Sequence, residues 1–362
     1  MSPPDTGNTN TEPMHTDHPN PPDSAGSSTP GSGRMVDVAR MAGVSRVTVS
    51  RAISHPHLVS PATLAAVQQA IAQLGYVPNL NAGSLATRRS HIVGAIVPTL
   101  SNAWFAETMD GLGEVLESGS YQLLLGQTRY RQSQEEILID AFIGRQVDAV
   151  VLTGVSHAPA VRAKLRRCGI PVLETWDLTD DPIDMVAGFS NRAAGAAVAD
   201  HLLARGYRRL GFIGAEEDRA LKRLAGYREA IAARGLPDVA VHTVEPPSSI
   251  ADGARALAGL VRQHPRLQAV YCSNDTLGVG ALQACRELGW PVPGRMAVVG
   301  FSDLAIAAAS VPALSSVRVQ SREMGRRAGE MLLARLGAAE AAGNVGDRIV
   351  DLGFSVVARA TS

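Results

Sequence analysis

Three cysteines, Cys168, Cys272 and Cys285, are all that the 362 residues contain. They have no metal-ligand spacing and no even number, so neither a disulfide scaffold nor a zinc module is expected. Reduced thiols in a cytoplasm fit them. No apolar run is long enough to span a bilayer, and the first residues lack the basic start and apolar stretch of a secretory signal. Residues 1–33 hold no Lys or Arg and almost nothing apolar. Rich in Pro, Ser, Thr, Gly and Asn, they read as a disordered tail. There is no G-x-S-x-G, no P-loop and no G-x-G-x-x-G after a strand, and the nine histidines are scattered. The G-x-G at Gly111–Gly113 falls inside a helical pattern. No catalytic residue, metal or cofactor is therefore expected.

The net charge is also zero, but it is unevenly spread. Residues 1–33 carry four acids and no base, whereas residues 34–90 carry six arginines against Asp37 alone. That concentration marks a phosphate-binding module. Within it, Val36 to Arg51 reads as two short helices joined at Gly43. Val38, Ala39 and Ala42 share a face, Gly43 supplies the positive φ of the turn, and Val44 fills the gap between the helices. Ser45 is placed as an N-cap, so Arg46, Val47 and Thr48 form the first turn of the second helix, with Val49 turned into a small core and Ser50 and Arg51 outward. A helix presenting these side chains fits a DNA major groove. Ser60-Pro61 starts a third helix, and Gly75 ends it.

The ordered motifs D-V-A-x-x-A-G-V-S-x-x-T-V-S-R and L-G-Y-x-P-N mark a resemblance. Residues 35–90 resemble the DNA-binding headpiece and hinge of the lactose-repressor family of bacterial transcription regulators. The resemblance continues through Ser101-Asn102, Phe105-Ala106-Glu107, Gly169 to Val172, Arg223 to Tyr227, Ser273-Asn274-Asp275 and Val299-Gly300-Phe301. The gluconate-operon repressor branch looks closest, on V-S-R in the recognition helix, A-V-G-F-like residues before Ser190-Asn191, and Asp351-Leu352-Gly353-Phe354.

From His91 onward the residues themselves give an α/β pattern. Apolar strands at Ile92–Val97, Tyr121–Leu125, Ala149–Leu152 and Pro171–Glu174 alternate with helices at Asn102–Gly119, Gln134–Ile143 and Ala158–Cys168. A second series has strands at Leu210–Gly214, Val241–Thr243, Ala269–Cys272 and Ala297–Gly300. Its helices are Ala193–Arg205, Arg223–Arg234, Ala251–Gln263 and Leu277–Leu288. Two doubly wound parallel-sheet subdomains facing a cleft are predicted, with ligand beyond the carboxyl ends of the strands. The expected organisation is a tail over 1–33, a helix-turn-helix headpiece over 34–79 and a hinge helix over 80–90. A periplasmic-binding-protein-like core of effector binding and dimerisation occupies 91–362. Its subdomains cover about 91–188 and 189–316, with the C-terminal segment crossing back.

The resemblance assigns roles. Arg46 and Val47 occupy the positions that choose operator bases, Arg46 for guanine and Val47 for apolar contact such as a thymine methyl. Thr48, Ser50 and Arg51 fix the helix on phosphates or reach nearby bases, and Asn79 joins them. Leu85 matches the leucine wedged into the minor groove, where unstacking costs about a few kcal/mol; Gly83 weakens that hinge helix. Arg34 replaces the usual Thr cap, so the first helix is expected to fray. In the cleft, Arg223 matches the effector-binding arginine, Asn274 contacts ligand while Asp275 either does so or caps the next helix, and Trp104 and Phe105 form a stacking wall or leave one ring to the core. Ser302 stands where many sugar-binding members have an acid. With Arg223, and with Arg219 and Lys222 as further cations, that favours a sugar acid such as gluconate. Glu174, included among the effector contacts, and Asp177 and Asp303 are the acids able to restore negative charge.

The implied protein is not an enzyme but a cytoplasmic, nucleoid-associated repressor. A homodimer on double-stranded operator DNA, with no membrane partner, is released when a small-molecule effector favours the incompatible state. A neutral-sugar effector or an obligatory co-repressor on the same scaffold is the alternative, and a solute-binding transport protein is opposed by residues 35–90. The C-terminus has no sustained heptads, so no tetramerising coiled coil is expected.

Overall fold

The computed structural model describes residues 34–77, 89–341 and 347–362. The tail, Asn79, Leu85 and most of the hinge expected over 80–90 lie outside the described residues. The chain divides into two compact units, residues 1–83 and 84–362, each considered by itself.

In the first unit, α1 (Met35–Met41), α2 (Arg46–Ser54) and α3 (Pro61–Leu74) enclose a small core of Val38, Ala39, Val49, Ala52, Val67, Ala70 and Tyr76. Gly43 turns the chain between α1 and α2 at φ +66°, a conformation costly for a residue with a Cβ. Ser45 caps α2 through its Oγ, which accepts from Thr48 N at 3.1 Å. Ser60 caps α3 in the same way through Thr63 N at 3.2 Å. The start of α1 is better held than the sequence implied. Asp37 Oδ2 accepts from Arg34 N at 3.1 Å, the half of a capping box that ties the cap residue to the helix, although Arg34 offers no side-chain acceptor to the first-turn N–H groups as a Thr would.

The second unit contains two six-stranded sheets. The first has the order β11-β5-β4-β3-β1-β2 and is wholly parallel, from β1 (Ile92–Val97), β2 (Gln122–Gln127), β3 (Ala149–Thr153), β4 (Val172–Thr175), β5 (Met185–Gly188) and β11 (Ile349–Asp351). The second has the order β12-β10-β9-β8-β6-β7. It is built from β6 (Leu210–Ala215), β7 (Ala240–Val244), β8 (Ala269–Cys272), β9 (Ala297–Ser302), β10 (Ser315–Arg318) and an antiparallel edge strand, β12 (Ser355–Val357). Helices cover both faces: α4 (Ala103–Ser118), α5 (Gln132–Gly144), α6 (Pro159–Cys168) and α12 (Ser321–Ala341) on the first sheet. Around the second lie α7 (Asn191–Ala204), α8 (Asp218–Ala232), α9 (Ile250–Gln263), α10 (Asp275–Glu287) and α11 (Ala305–Ala309). Fully buried strand interiors, such as Ala149, Val150, Val151 and Leu152, follow from that double cover.

The chain crosses between the sheets between β5 and α7, between β10 and α12, and between β11 and β12. Helix α12 was not anticipated, because its Arg- and Gly-rich sequence looks solvated. It packs Ala328, Met331, Leu332 and Leu336 into the core shared with Leu112 and Leu116 of α4. Its glycines permit the approach: a Cβ on Gly325 would collide with the Thr108 carbonyl oxygen, and one on Gly111 with that of Arg322. Gly111 thus serves helix packing, whereas a Cβ on Gly113 would meet open space. No helix among the described residues is long and apolar enough to cross a membrane.

Candidate nucleic-acid interface and ligand cleft

The outer face of α2 presents Arg46, Val47, Ser50 and Arg51 to solvent. Val47 is 66% exposed, a cost in water that apolar contact would remove. Thr48 is half-buried and its Oγ1 lies 2.9 Å from Ser45 Oγ, so it both supports the cap and borders the same face.

In the second unit, the carboxyl ends of both sheets meet around a narrow cleft whose internal cavity is only about 20 Å³. The first subdomain contributes Asn102, Trp104 and Phe105 after β1, Tyr130 after β2 and Trp176 after β4. The second contributes Glu217, Arg219 and Arg223 after β6, Ser248 after β7, Ser273 and Asn274 after β8, and Phe301 and Ser302 at the end of β9. Both sheets reverse direction of growth beside their first strand, where a crevice opens. The structure therefore brings Trp104, Phe105, Arg223, Asn274 and Ser302 together. The rings of Trp104, Phe105, Trp176, Phe189 and Phe301 form one contacting series, edge-on up to Phe189 and tilted between Phe189 and Phe301, with neighbouring centroids 5.3–6.1 Å apart, that joins the subdomains along the cleft.

Arg223 is not at a helix start, since α8 begins at Asp218, and it is 5% exposed. Its Nη1 donates to Asn191 Oδ1 at 2.5 Å and its Nη2 to the Ser273 carbonyl at 3.1 Å. The guanidinium lies 4.1 Å from the Phe301 ring centroid, while Nε is buried without a partner. Glu217 caps α8 by accepting from Ala220 N at 2.8 Å and pairs with both Arg219, at 2.9 Å, and Arg223, at 3.4 Å. Arg219 also sits 5.5 Å from the Phe105 ring centroid.

Asn274 Oδ1 caps α10 through Leu277 N at 2.9 Å, and its Nδ2 donates to Ser248 Oγ at 2.9 Å. The cap thus belongs to Asn274. Asp275 points into the protein, where Oδ1 accepts from Ser316 Oγ at 2.6 Å and Oδ2 from Leu304 N at 2.7 Å. Burial raises its carboxyl to about 7 despite those bonds.

Glu174 is a correction: it is fully buried and does not line the cleft. The strand pleat turns it toward the α6 side, where Oε2 accepts from Ile183 N at 2.6 Å and Oε1 lies 3.4 Å from both Arg162 and His157. Asp177 pairs with Lys222 at 2.6 Å, and Asp303 pairs with Arg318 at 2.8 Å and Arg359 at 2.6 Å. Sequence reasoning did not single out Tyr130, Trp176, Glu217 or Ser248 for the cleft. Their only available signal was a position shortly beyond a strand end.

Residues 34–79 match the model of bacterial regulatory proteins of the lacI family, and residues 199–362 match a periplasmic binding protein-like domain. The HTH-type transcriptional regulator GntR of Pseudomonas aeruginosa is 38% identical over 89% of this chain and 94% of its own length. The GntR regulator of Escherichia coli K12 is 33% identical over 88% and 96%. A transcriptional regulator of the same family from Silicibacter pomeroyi superposes with a TM-score of 0.85 at 33% identity, covering 91% of this chain and 98% of that one. These relatives are regulators, not enzymes, and the two-sheet core with a helix-turn-helix unit is the architecture they share. The chain belongs to the lacI family of bacterial regulatory proteins and is a DNA-binding transcriptional regulator.

Proposed function

We propose that this regulator is a repressor, released from its operator by a small sugar acid such as gluconate. The cleft's charge balance carries the choice of an acid: Arg219 and Arg223 line it with one carboxylate, Glu217. Glu217 is already committed to the α8 cap and to both guanidiniums. The acids nearest in sequence do not cancel the excess, because Glu174, Asp177 and Asp303 are each held by cations away from the cleft lining. A ligand carboxylate about 4 Å from an uncompensated guanidinium gains about 4 kcal/mol at an effective dielectric of 20, before desolvation. Asn274 and Ser302 supply polar contacts for hydroxyls, and Trp104 and Phe105 the apolar wall.

On the DNA side, Arg46 and Val47 select bases, Thr48, Ser50 and Arg51 with Asn79 anchor the headpiece, and Leu85 wedges the minor groove from the hinge. A homodimer offers two headpieces to a two-fold operator. The effector weakens operator binding to the extent that it binds the DNA-incompatible state more tightly.

Thermal denaturation with a ligand panel tests the acid preference. Gluconate should raise the midpoint in a concentration-dependent way, as binding to the folded state alone requires, whereas glucose and sorbitol should not. Equal stabilisation by glucose and gluconate would favour the neutral-sugar alternative.

A further inference from the structure

We propose that Tyr130 reads a hydroxyl at the end of the ligand remote from its carboxylate, so that the cleft selects a polyhydroxylated acid over any small anion. The assignment deepens, and rests on, the sugar-acid reading above.

The two walls of the cleft are chemically unequal. Both arginines, the capping glutamate, Asn274 and Ser302 come from the second subdomain. The first subdomain is mainly aromatic, and the Trp176 indole N–H is already taken by Thr108 Oγ1 at 3.2 Å. Asn102 and Tyr130 are thus its principal polar groups on the cleft. A small anion held by the arginines satisfies one wall and leaves the polar groups of the other without a ligand partner.

Tyr130 is put there by a turn that the backbone resists. Arg129 and Tyr130 have successive φ values of 51° and 59°, in the left-handed region that residues with a Cβ disfavour. Thr128 N donates to the Val97 carbonyl at 3.0 Å, Arg129 N to that of Pro98 at 2.8 Å, and Arg131 N to that of Thr128 at 3.1 Å. These bonds fix the turn to the end of β1 and aim the ring over the cleft. Non-glycine residues in this conformation concentrate at functional positions because the surrounding structure must hold them there.

The phenol is a donor in waiting. Its oxygen accepts from Asn102 Nδ2 at 3.0 Å, and no described acceptor takes its own proton. Burial pushes its pKa up to about 12 against the opposing pull of Arg219, so the proton stays on the oxygen at neutral pH. Across the cleft, Arg223 Nε is a second buried donor without a partner. A hydroxylated acid chain satisfies the arginines with its carboxylate and Tyr130 with a hydroxyl oxygen. An acid without that hydroxyl leaves a half-buried donor without a ligand partner, which is penalised.

Isothermal titration of the full chain with gluconate, and separately with acetate, tests this on the wild type and Tyr130→Phe. Loss of the hydroxyl should weaken gluconate binding by about tenfold or more, equivalent to about 1.4 kcal/mol. Acetate binding should change by less than about twofold, and the ligand-free thermal midpoint should fall no further than loss of the Asn102 bond requires; a merely structural role would weaken acetate and gluconate alike. Undiminished gluconate binding by Tyr130→Phe overturns the assignment alone. Absence of gluconate binding by the wild type overturns the sugar-acid reading and this assignment with it.

Discussion

Lys222 Nζ lies 2.6 Å from Asp177 Oδ2 and 3.2 Å from Ser156 Oγ, joining α8 of the second subdomain to two loops of the first. Ser156 Oγ in turn donates to Asp218 Oδ2 at 2.7 Å. These bonds clasp the closed cleft at its edge. Lys222→Met removes the cation and leaves Asp177, 3% exposed, without its partner. Because half-exposed ion pairs are individually weak but an unpaired buried acid is not, gluconate affinity should fall about three- to tenfold. Small-angle scattering of the ligand-free variant should record a more open core; identical scattering and affinity would contradict the clasp.

Ser302 is 5% exposed and has φ +103° on the cleft lining, so whatever occupies it is held toward the ligand space. Ser302→Asp adds the negative charge that the charge balance now lacks. Gluconate binding should weaken by at least about tenfold, while neutral sugars such as glucose should gain relative to it. Calorimetry with both ligands checks this, and an unchanged preference would count against the charge argument.

His157 is buried between Glu135, at 2.9 Å, and Glu174, at 3.4 Å. Burial alone would lower its pKa, but the two carboxylates outweigh it and hold the imidazole at about 9. A folded pKa above the ordinary 6.5 adds stability that is complete below about pH 6.5 and lost as pH rises through about 9. The loss should be on the order of 1–3 kcal/mol. Chemical denaturation from pH 6 to 9.5 should therefore fall more steeply for wild type than for His157→Gln. Parallel profiles would mean that the imidazole is uncharged in the folded protein.

Arg46 and Arg51 are both exposed on α2, and the proposed function gives them different tasks. Arg46→Ala should cost about 1–3 kcal/mol on the preferred operator and relax selectivity at one base pair per half-site. Arg51→Ala should weaken all sequences alike and reduce the salt dependence by about one ion per headpiece. Operator and scrambled-sequence titrations at several salt concentrations separate the two; matching losses on both sequences for Arg46→Ala would remove its base-reading role.

The headpiece was largely legible because its signals are local. Ser45, Ser60, Gly43 and the Val38–Ala39 face each act within a few residues of chain, and the structure places them as caps, turn and core. The central strands of both sheets were legible for a similar reason, since burial on both faces leaves continuous apolar runs. What was missed depends on distant partners. Ser315 and Ser316 look like loop residues, yet both are buried in β10, where Ser316 is satisfied by Asp275. Helix α12 is recognisable only with α4 beside it. Glu174 was misplaced because sequence position near a strand end does not reveal which face its side chain takes, and His157, Arg162 and Ile183 converge on it from elsewhere.

In the proposed mechanism an acid held by Arg223 controls operator binding. Fluorescence anisotropy of a palindromic operator from the gene's own upstream region, at fixed salt with gluconate titrated in, tests it most directly. Binding should be tight without gluconate and fall progressively as it is added, with no such loss for Arg223→Ala. Tight operator binding that ignores gluconate, or an Arg223→Ala protein that responds like the wild type, would contradict it.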